Sequence, residues 1–110
     1  MQSQAEKIAT LNDACRNAMG LAGKVYQTRA IAALSAEDQS AIREKVKRFD
    51  DFTPDNNPYA ERDFGAFDHN GNRIFWKIDY YDTTLTYGSE DPSDPKQTVR
   101  VLTIMLASEY

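Results

Sequence analysis

The 110-residue chain has one cysteine and one histidine. A lone Cys15 forms no internal disulfide and fits a reducing compartment. No base or second cysteine stands near it, so it is expected to be a buried small apolar side chain rather than a reactive thiol. One histidine, His69, supplies neither the zinc spacings nor a histidine-metal nuclease site. Phosphate-loop and dinucleotide signatures are absent, and no GxSxG elbow occurs. No apolar run approaches a membrane span. The first residues lack the basic-then-apolar layout of a secretory leader, since Glu6 stands where the apolar part would begin. The expected setting is the cytoplasm, with no membrane contact and no cofactor.

Positive charge is scarce in the middle of the chain. Residues 1–49 hold eight basic and five acidic side chains; residues 50–94 hold three and eleven. The net charge of −4 is therefore a first half of +3, a segment of −8 and a last stretch of +1 over residues 95–110. Such asymmetry makes a strong local field if the acids share a face, and it argues against direct binding of nucleic acid by that segment.

What is present is ordinary for one soluble domain: 41% hydrophobic and 27% charged residues. The clearest local signal is Asp63 to Asp82. Ile74, Trp76, Ile78 and Tyr80 alternate with Phe75, Lys77, Asp79 and Tyr81, the pattern of a half-buried strand. Asn70-Gly71 is a favoured two-residue hairpin turn. That register sets Asp68 opposite Arg73, Phe67 opposite Ile74 and Gly65 opposite Trp76.

Around the hairpin, Ile8, Leu11, Cys15 and Met19 draw a helical stripe over Ala5 to Met19, opened by Ser3 or Gln4 and stopped by Gly20 and Gly23. Lys24 to Arg29 is a short strand candidate, and Ala30 to Leu34 an apolar connector. Ser35 with Asp38 is a variant capping box opening a helix to about Phe49. The basic residues of its second half, Arg43, Lys45, Lys47 and Arg48, suit the helix dipole without a ligand. Asp50 to Tyr59 is turn chemistry whose Phe52 and Tyr59 are expected to tuck onto the core. Thr83 to Tyr87 is a brief sheet extension. Asp94-Pro95 reads as the start of a last helix with Val99, Leu102, Leu106 and Tyr110 on one stripe; a strand there is the minority reading. The order helix–strand–helix–hairpin–helix predicts a single α+β domain over residues 1–110, an antiparallel sheet built on a central hairpin and covered by about three helices.

Few residues ask for chemistry. Asp68 to Asn72 offers oxygen ligands without the EF-hand layout. Asp50, Asp51, Asp55, Glu61 and Asp63 could gather round a hard cation, and Asp51, Asp55, Glu61 and Asp63 could make a small metal-assisted hydrolase. The aromatics Phe64, Phe67, Phe75, Trp76, Tyr80 and Tyr81 read as core rather than as a base-stacking platform, because carboxylates surround them. Lys77, mid-strand, is the polar group expected to be partly buried.

Several stretches, FDDFTPDNNPY, ERDFGAF, IFWKIDYYD, GSEDPSDP and TVRVLTIMLASEY, resemble a family of small proteobacterial proteins known as a domain of unknown function. The likeness spans roughly Ala30 to Tyr110. It implies a setting of plasmids, phages and genomic islands, often beside genes that blunt host restriction, and no particular chemistry. In the family pattern a histidine often stands where this chain has Arg62, which weakens an enzyme reading.

The expectation is a non-catalytic acidic protein, an inhibitor of the anti-CRISPR or anti-restriction kind carried by mobile elements. Its partner would be a protein of a nucleic-acid-handling complex, whose basic channel it would occupy as a DNA mimic. The contact residues would be Asp50, Asp51, Asp55, Glu61, Asp63, Asp82, Glu90, Asp91 and Asp94. The alternatives are the metal-assisted hydrolase and a self-associating accessory protein.

Overall fold

A computed structural model of the protein describes residues 2–20 and 22–110. Its centre is the hairpin of β2 (Phe64–His69) and β3 (Asn72–Tyr81). Asn70 (φ 49°) and Gly71 (φ 80°) both take the left-handed conformation that a type I′ turn requires. Asp68 pairs with Arg73, Phe67 with Ile74 and Gly65 with Trp76. The even-numbered side chains of β3 face the core, and Ile74, Trp76 and Ile78 are buried there.

Helix α1 (Gln4–Ala18) begins with a complete capping box. The Ser3 hydroxyl accepts from the Glu6 amide at 3.1 Å, and the Glu6 carboxylate reaches back to the Ser3 amide. Strand β1 (Lys24–Gln27) follows, then a one-turn helix α2 (Arg29–Ala32) in the predicted connector. Glu109 secures α2 from outside: its carboxylate accepts from the Thr28 hydroxyl at 2.6 Å and from the Ala30 amide at 3.4 Å. Helix α3 (Ala36–Arg48) is capped by Ser35, whose hydroxyl accepts from the Asp38 amide at 3.0 Å.

The last element is a strand, not the predicted helix. Asp94 and Pro95 open one turn only, held by the Lys96 amide on the Asp94 carboxylate at 2.9 Å. Strand β4 (Val99–Leu106) then runs between β1 and β3, followed by a short 3₁₀ turn, Ala107–Glu109. Its central place is the physical reason for the difference. Arg100, Val101, Leu102, Ile104 and Met105 are all buried, on both faces of the sheet. A strand buried on both faces is apolar at nearly every position, so a helical stripe can be drawn through it as easily as an alternation.

The four-stranded sheet has the order β1–β4–β3–β2. β2–β3 and β3–β4 are antiparallel, as expected, and β1 adds to β4 in parallel, making the sheet mixed. The fold is α+β. Cys15 of α1, Ile31 of α2, and Ile42 and Val46 of α3 pack with Ile74, Trp76, Ile78, Leu102 and Ile104. All three helices therefore cover one face. Each fully buried aliphatic side chain in this layer stabilises the fold by about 1.5–3 kcal/mol. On the opposite face Tyr110 sets its ring edge-on to Phe64 and Phe75. The aromatics of the hairpin are thus divided between the two faces rather than gathered on one platform.

Candidate functional site

Sheet register decides where the acidic connectors lie. Tyr81, the last residue of β3, sits beside Val99, the first of β4. Asp63, just before β2, accepts from the Ile78 amide at 2.8 Å. Segments 50–63 and 82–98 therefore both emerge at one end of the sheet. The hairpin tip, Asn70-Gly71, is at the other. The two segments hold nine carboxylates against Arg62 and Lys96.

Within that end the carboxylates fall into three groups. Asp50 and Asp51 follow Phe49 and border a cleft of about 700 Å³ between α3 and β2. Lys45, Arg48 and Arg73 line the same cleft. Asp55 is exposed at the tip of the 50–63 segment. Phe52 tucks under as expected, edge-on to Phe49 and Trp76. Tyr59 does not: it is 78% exposed.

Glu61 and Asp63 form the second group. The Glu61 carboxylate accepts from the Tyr80 hydroxyl at 2.9 Å. Burial, with the neighbouring charges of Glu61 and Asp79, lifts the Asp63 carboxyl above its ordinary range. Burial also raises the Tyr80 hydroxyl well above its usual value, so it stays a protonated donor.

The third group is the 82–94 connector. Asp82 accepts from the Thr84 hydroxyl at 2.7 Å and from the Thr84 and Thr86 amides at 3.1 Å. Asp91 accepts from the Ser93 hydroxyl at 2.6 Å and from Gln4 of α1 at 3.3 Å. Asp94 accepts from the Gln97 side chain at 2.8 Å. These three acids shape their own turns. Thr83 to Thr86 form a turn, and the brief sheet extension is a single antiparallel bridge of Gly88 to Tyr81, with the Asp82 amide donating to the Tyr87 carbonyl at 2.8 Å. Side-chain bonds, from Thr84 to Asp82 and from Gln97 to Asp94, hold both carboxyls below the usual range, so they remain ionised. Glu90 is exposed and borders a shallow hollow with Asp82 and Lys96.

A buried polar network beneath this end was not foreseen from the sequence. Arg16 is 4% exposed, and its guanidinium lies 4.9 Å over the Trp76 ring. It donates to the carbonyls of Val46 and Phe49 at 2.9 Å each, closing the C-terminus of α3. Asp13 accepts from Arg16 at 2.8 Å and from Arg62 at 2.6 Å. Asn12, fully buried, donates to the Glu61 carbonyl at 2.9 Å and to the Tyr80 hydroxyl at 2.8 Å, and accepts from Arg100 at 2.7 Å. The only advance signal was Asp13 and Arg16 at i,i+3 spacing beside the apolar stripe. Arg62, at φ 54°, is held by Asn57 and Asp13, so its role is to fasten the 50–63 segment to α1.

At the far end, His69 is a structural surprise. It is 9% exposed, with Nε2 3.0 Å from Asp38 and Nδ1 3.1 Å from the Lys45 ammonium. The Asp38 carboxylate does not complete the capping box by accepting from the Ser35 amide; it accepts from Asn70 at the hairpin tip at 2.8 Å and meets His69 there. Lys77 forms a half-exposed pair with Asp79 at 3.0 Å on the face without helices.

A family model described as a protein of unknown function, DUF3768, matches residues 27–109. The chain belongs to this family. No curated protein matches the chain, and no solved structure does. The DUF3768 match takes in both acidic segments, β2 to β4 and the cleft, while α1 lies ahead of it. Arg16, Asn12 and Asp13 of α1 thus fasten a preceding helix onto the DUF3768 region. Among the described residues no group of three His, Cys, Asp or Glu side chains could hold a metal ion. Asp51, Asp55, Glu61 and Asp63 form no such group. Cys15 is buried, and desolvation raises its thiol above the usual value, which favours the protonated form. Among the described residues no helix is long and apolar enough to cross a membrane.

Proposed function

We propose that this DUF3768 protein is a non-catalytic binding protein that docks the acidic end of its sheet onto a basic protein surface. One observation carries the reading. Two connectors far apart in sequence leave the sheet at the same end and bring nine carboxylates with them. Arg62 and Lys96 are the cations within the two connectors, with Arg62 paired to Asp13, and Lys45, Arg48 and Arg73 border the cleft beside Asp50 and Asp51. The remaining carboxylates present negative charge on a frame braced from inside by Arg16 and Asn12. A fixed frame lowers the ordering cost of docking, and the field speeds encounter.

The partner this chemistry fits best is a protein whose basic channel handles nucleic acid. By filling that channel the protein would act as an inhibitor of a nucleic-acid-directed defence system, of the anti-CRISPR or anti-restriction type. The sequence resemblance to mobile-element proteins supports that narrower reading. Asp50, Asp51, Asp55 and Glu90, exposed and free of the turn bonds described above, are the first contacts; Glu61, Asp63, Asp82, Asp91 and Asp94 extend the field.

The test is a pull-down from host lysate with competitor DNA titrated in. A nucleic-acid-handling protein should be retained and then displaced by DNA. It should be lost when Asp50, Asp51, Asp55 and Glu90 are all changed to Asn or Gln. Retention that ignores both DNA and these substitutions would overturn the proposal.

A further inference from the structure

The outer edge of β2 has no strand partner among the described residues. Which of its backbone groups point outward follows from one bond. The Ile78 amide donates to the Asp63 carbonyl, so Asp63 and Ile78 form a hydrogen-bonded pair. Such pairs alternate along an antiparallel ladder. Gly65 and Phe67 therefore bond inward to β3, while Phe64, Ala66 and Asp68 turn their N–H and C=O groups to the free edge. The Lys45 ammonium, 3.2 Å from the Asp68 carbonyl, agrees with that direction.

Lys45 thus blunts one end of the edge, a usual defence against unwanted strand pairing. The rest is undefended. Phe64, Gly65, Ala66 and Phe67 include no proline and no charge. The opposite edge, β1, is only four residues long and begins with Lys24.

Charge along the edge runs from one sign to the other. At the His69 end stands Lys45, while Arg73 there is paired with Asp68 at 3.3 Å. At the Phe64 end stand Asp50 and Asp51, just after Phe49, which lies against Gly65, while Arg48 beside them is paired with Glu44 at 3.0 Å. A strand added antiparallel from an identical molecule reverses this order. Its carboxylates meet the cations of the first copy, and its cations meet the carboxylates.

We infer that the β2 edge pairs with the β2 edge of a second copy of this chain. Two β2 strands then run antiparallel about a two-fold axis at Gly65, and the two sheets join into one. The register that uses only free groups sets Phe64 opposite Ala66 of the second copy, and the reverse. It makes four backbone hydrogen bonds and leaves the Lys45–Asp68 contact intact. The two Gly65 residues face each other as a non-hydrogen-bonded pair, where antiparallel chains approach most closely. A narrow strip with four bonds gives an exchanging dimer rather than an obligate one.

Two charge-reversed chains test this inference: Lys45→Glu, and Asp50→Lys with Asp51→Lys. The unmodified protein should change from monomer to dimer with rising concentration in sedimentation velocity. Each reversed chain alone should stay monomeric, and an equimolar mixture should recover the dimer, because both sets of contacts become attractive again. That rescue cannot come from misfolding, and circular dichroism of each chain alone checks its fold. Amide exchange at Phe64 and Ala66 should slow as concentration rises. A monomer at every concentration, or a dimer that charge reversal leaves unchanged, would overturn the inference. So would a mixture that fails to re-associate while both chains are folded.

Discussion

The Trp76 indole occupies the space that Gly65, directly across the ladder, leaves by having no side chain. A β-carbon at position 65 would sit 2.7 Å from Trp76 Cε2, closer still to its Nε1, and 2.7 Å from Phe49 Cε1. Trp76 is fully buried, and its indole N–H finds no hydrogen-bond partner among the described residues. Packing, not polar bonding, holds it there.

Gly65→Ala should accordingly destabilise the protein by about 1–3 kcal/mol through overpacking. The measurement is urea unfolding followed by tryptophan fluorescence. A substitution without effect would mean that Phe49 and Trp76 shift freely, and that the α3–β2 contact is loose.

Arg16 closes α3 from inside the molecule. Arg16→Met keeps the apolar bulk but leaves the Val46 and Phe49 carbonyls without that donor and Asp13 with Arg62 alone. A loss of about 3–5 kcal/mol is expected, the range for removing one partner of a buried charged network. Thermal unfolding would measure it. Arg16→Lys should recover little of that loss, since an ammonium cannot span the two carbonyls and Asp13 as the planar fork does.

His69 should hold one tautomer. The Lys45 ammonium only donates, so Nδ1 must accept and the proton must sit on Nε2, directed at Asp38. Nitrogen NMR of the imidazole would show this. The bond from His69, with help from Ser35, keeps the Asp38 carboxyl below its ordinary value of 3.8. A depressed carboxyl stabilises the fold fully above its unfolded value, and that contribution is lost as pH falls through the lower folded value. Asp38→Asn should therefore weaken the fold at neutral pH and differ less from the unmodified protein in strong acid.

Asp63 predicts the opposite slope. Its folded carboxyl is raised, so the folded chain holds this proton more tightly than the unfolded chain just above pH 3.8. The group costs stability as pH rises through that window. Asp63→Asn should make the protein more stable at neutral pH, with the gain vanishing in acid; paired melting curves across pH would record it. A carboxylate kept at a cost in stability is what a contact role for this end of the sheet entails, and the same variant should bind the partner less tightly.

Local chemistry was legible at the hairpin turn and the two serine caps, where neighbours in sequence are also neighbours in space, but not at Asp94-Pro95, which opens one turn and no helix. Asn70-Gly71 dictates the hairpin turn, and with it every β2–β3 pair, because a two-residue loop leaves the register no freedom. Ser3 and Ser35 mark helix starts through bonds that span three residues. Elements whose environment comes from afar were not legible. The run Val99–Leu106 carries no mark of its place between two strands, and only that place makes it a strand. Likewise nothing near Arg16, Asn12 or His69 announces partners that lie 30, 49 or 31 residues away. The sequence by itself determined turns, caps and the hairpin, since those energies are local. Tertiary structure alone decided that two acidic connectors share one end of the sheet, because only the antiparallel order of β2, β3 and β4 brings their ends together.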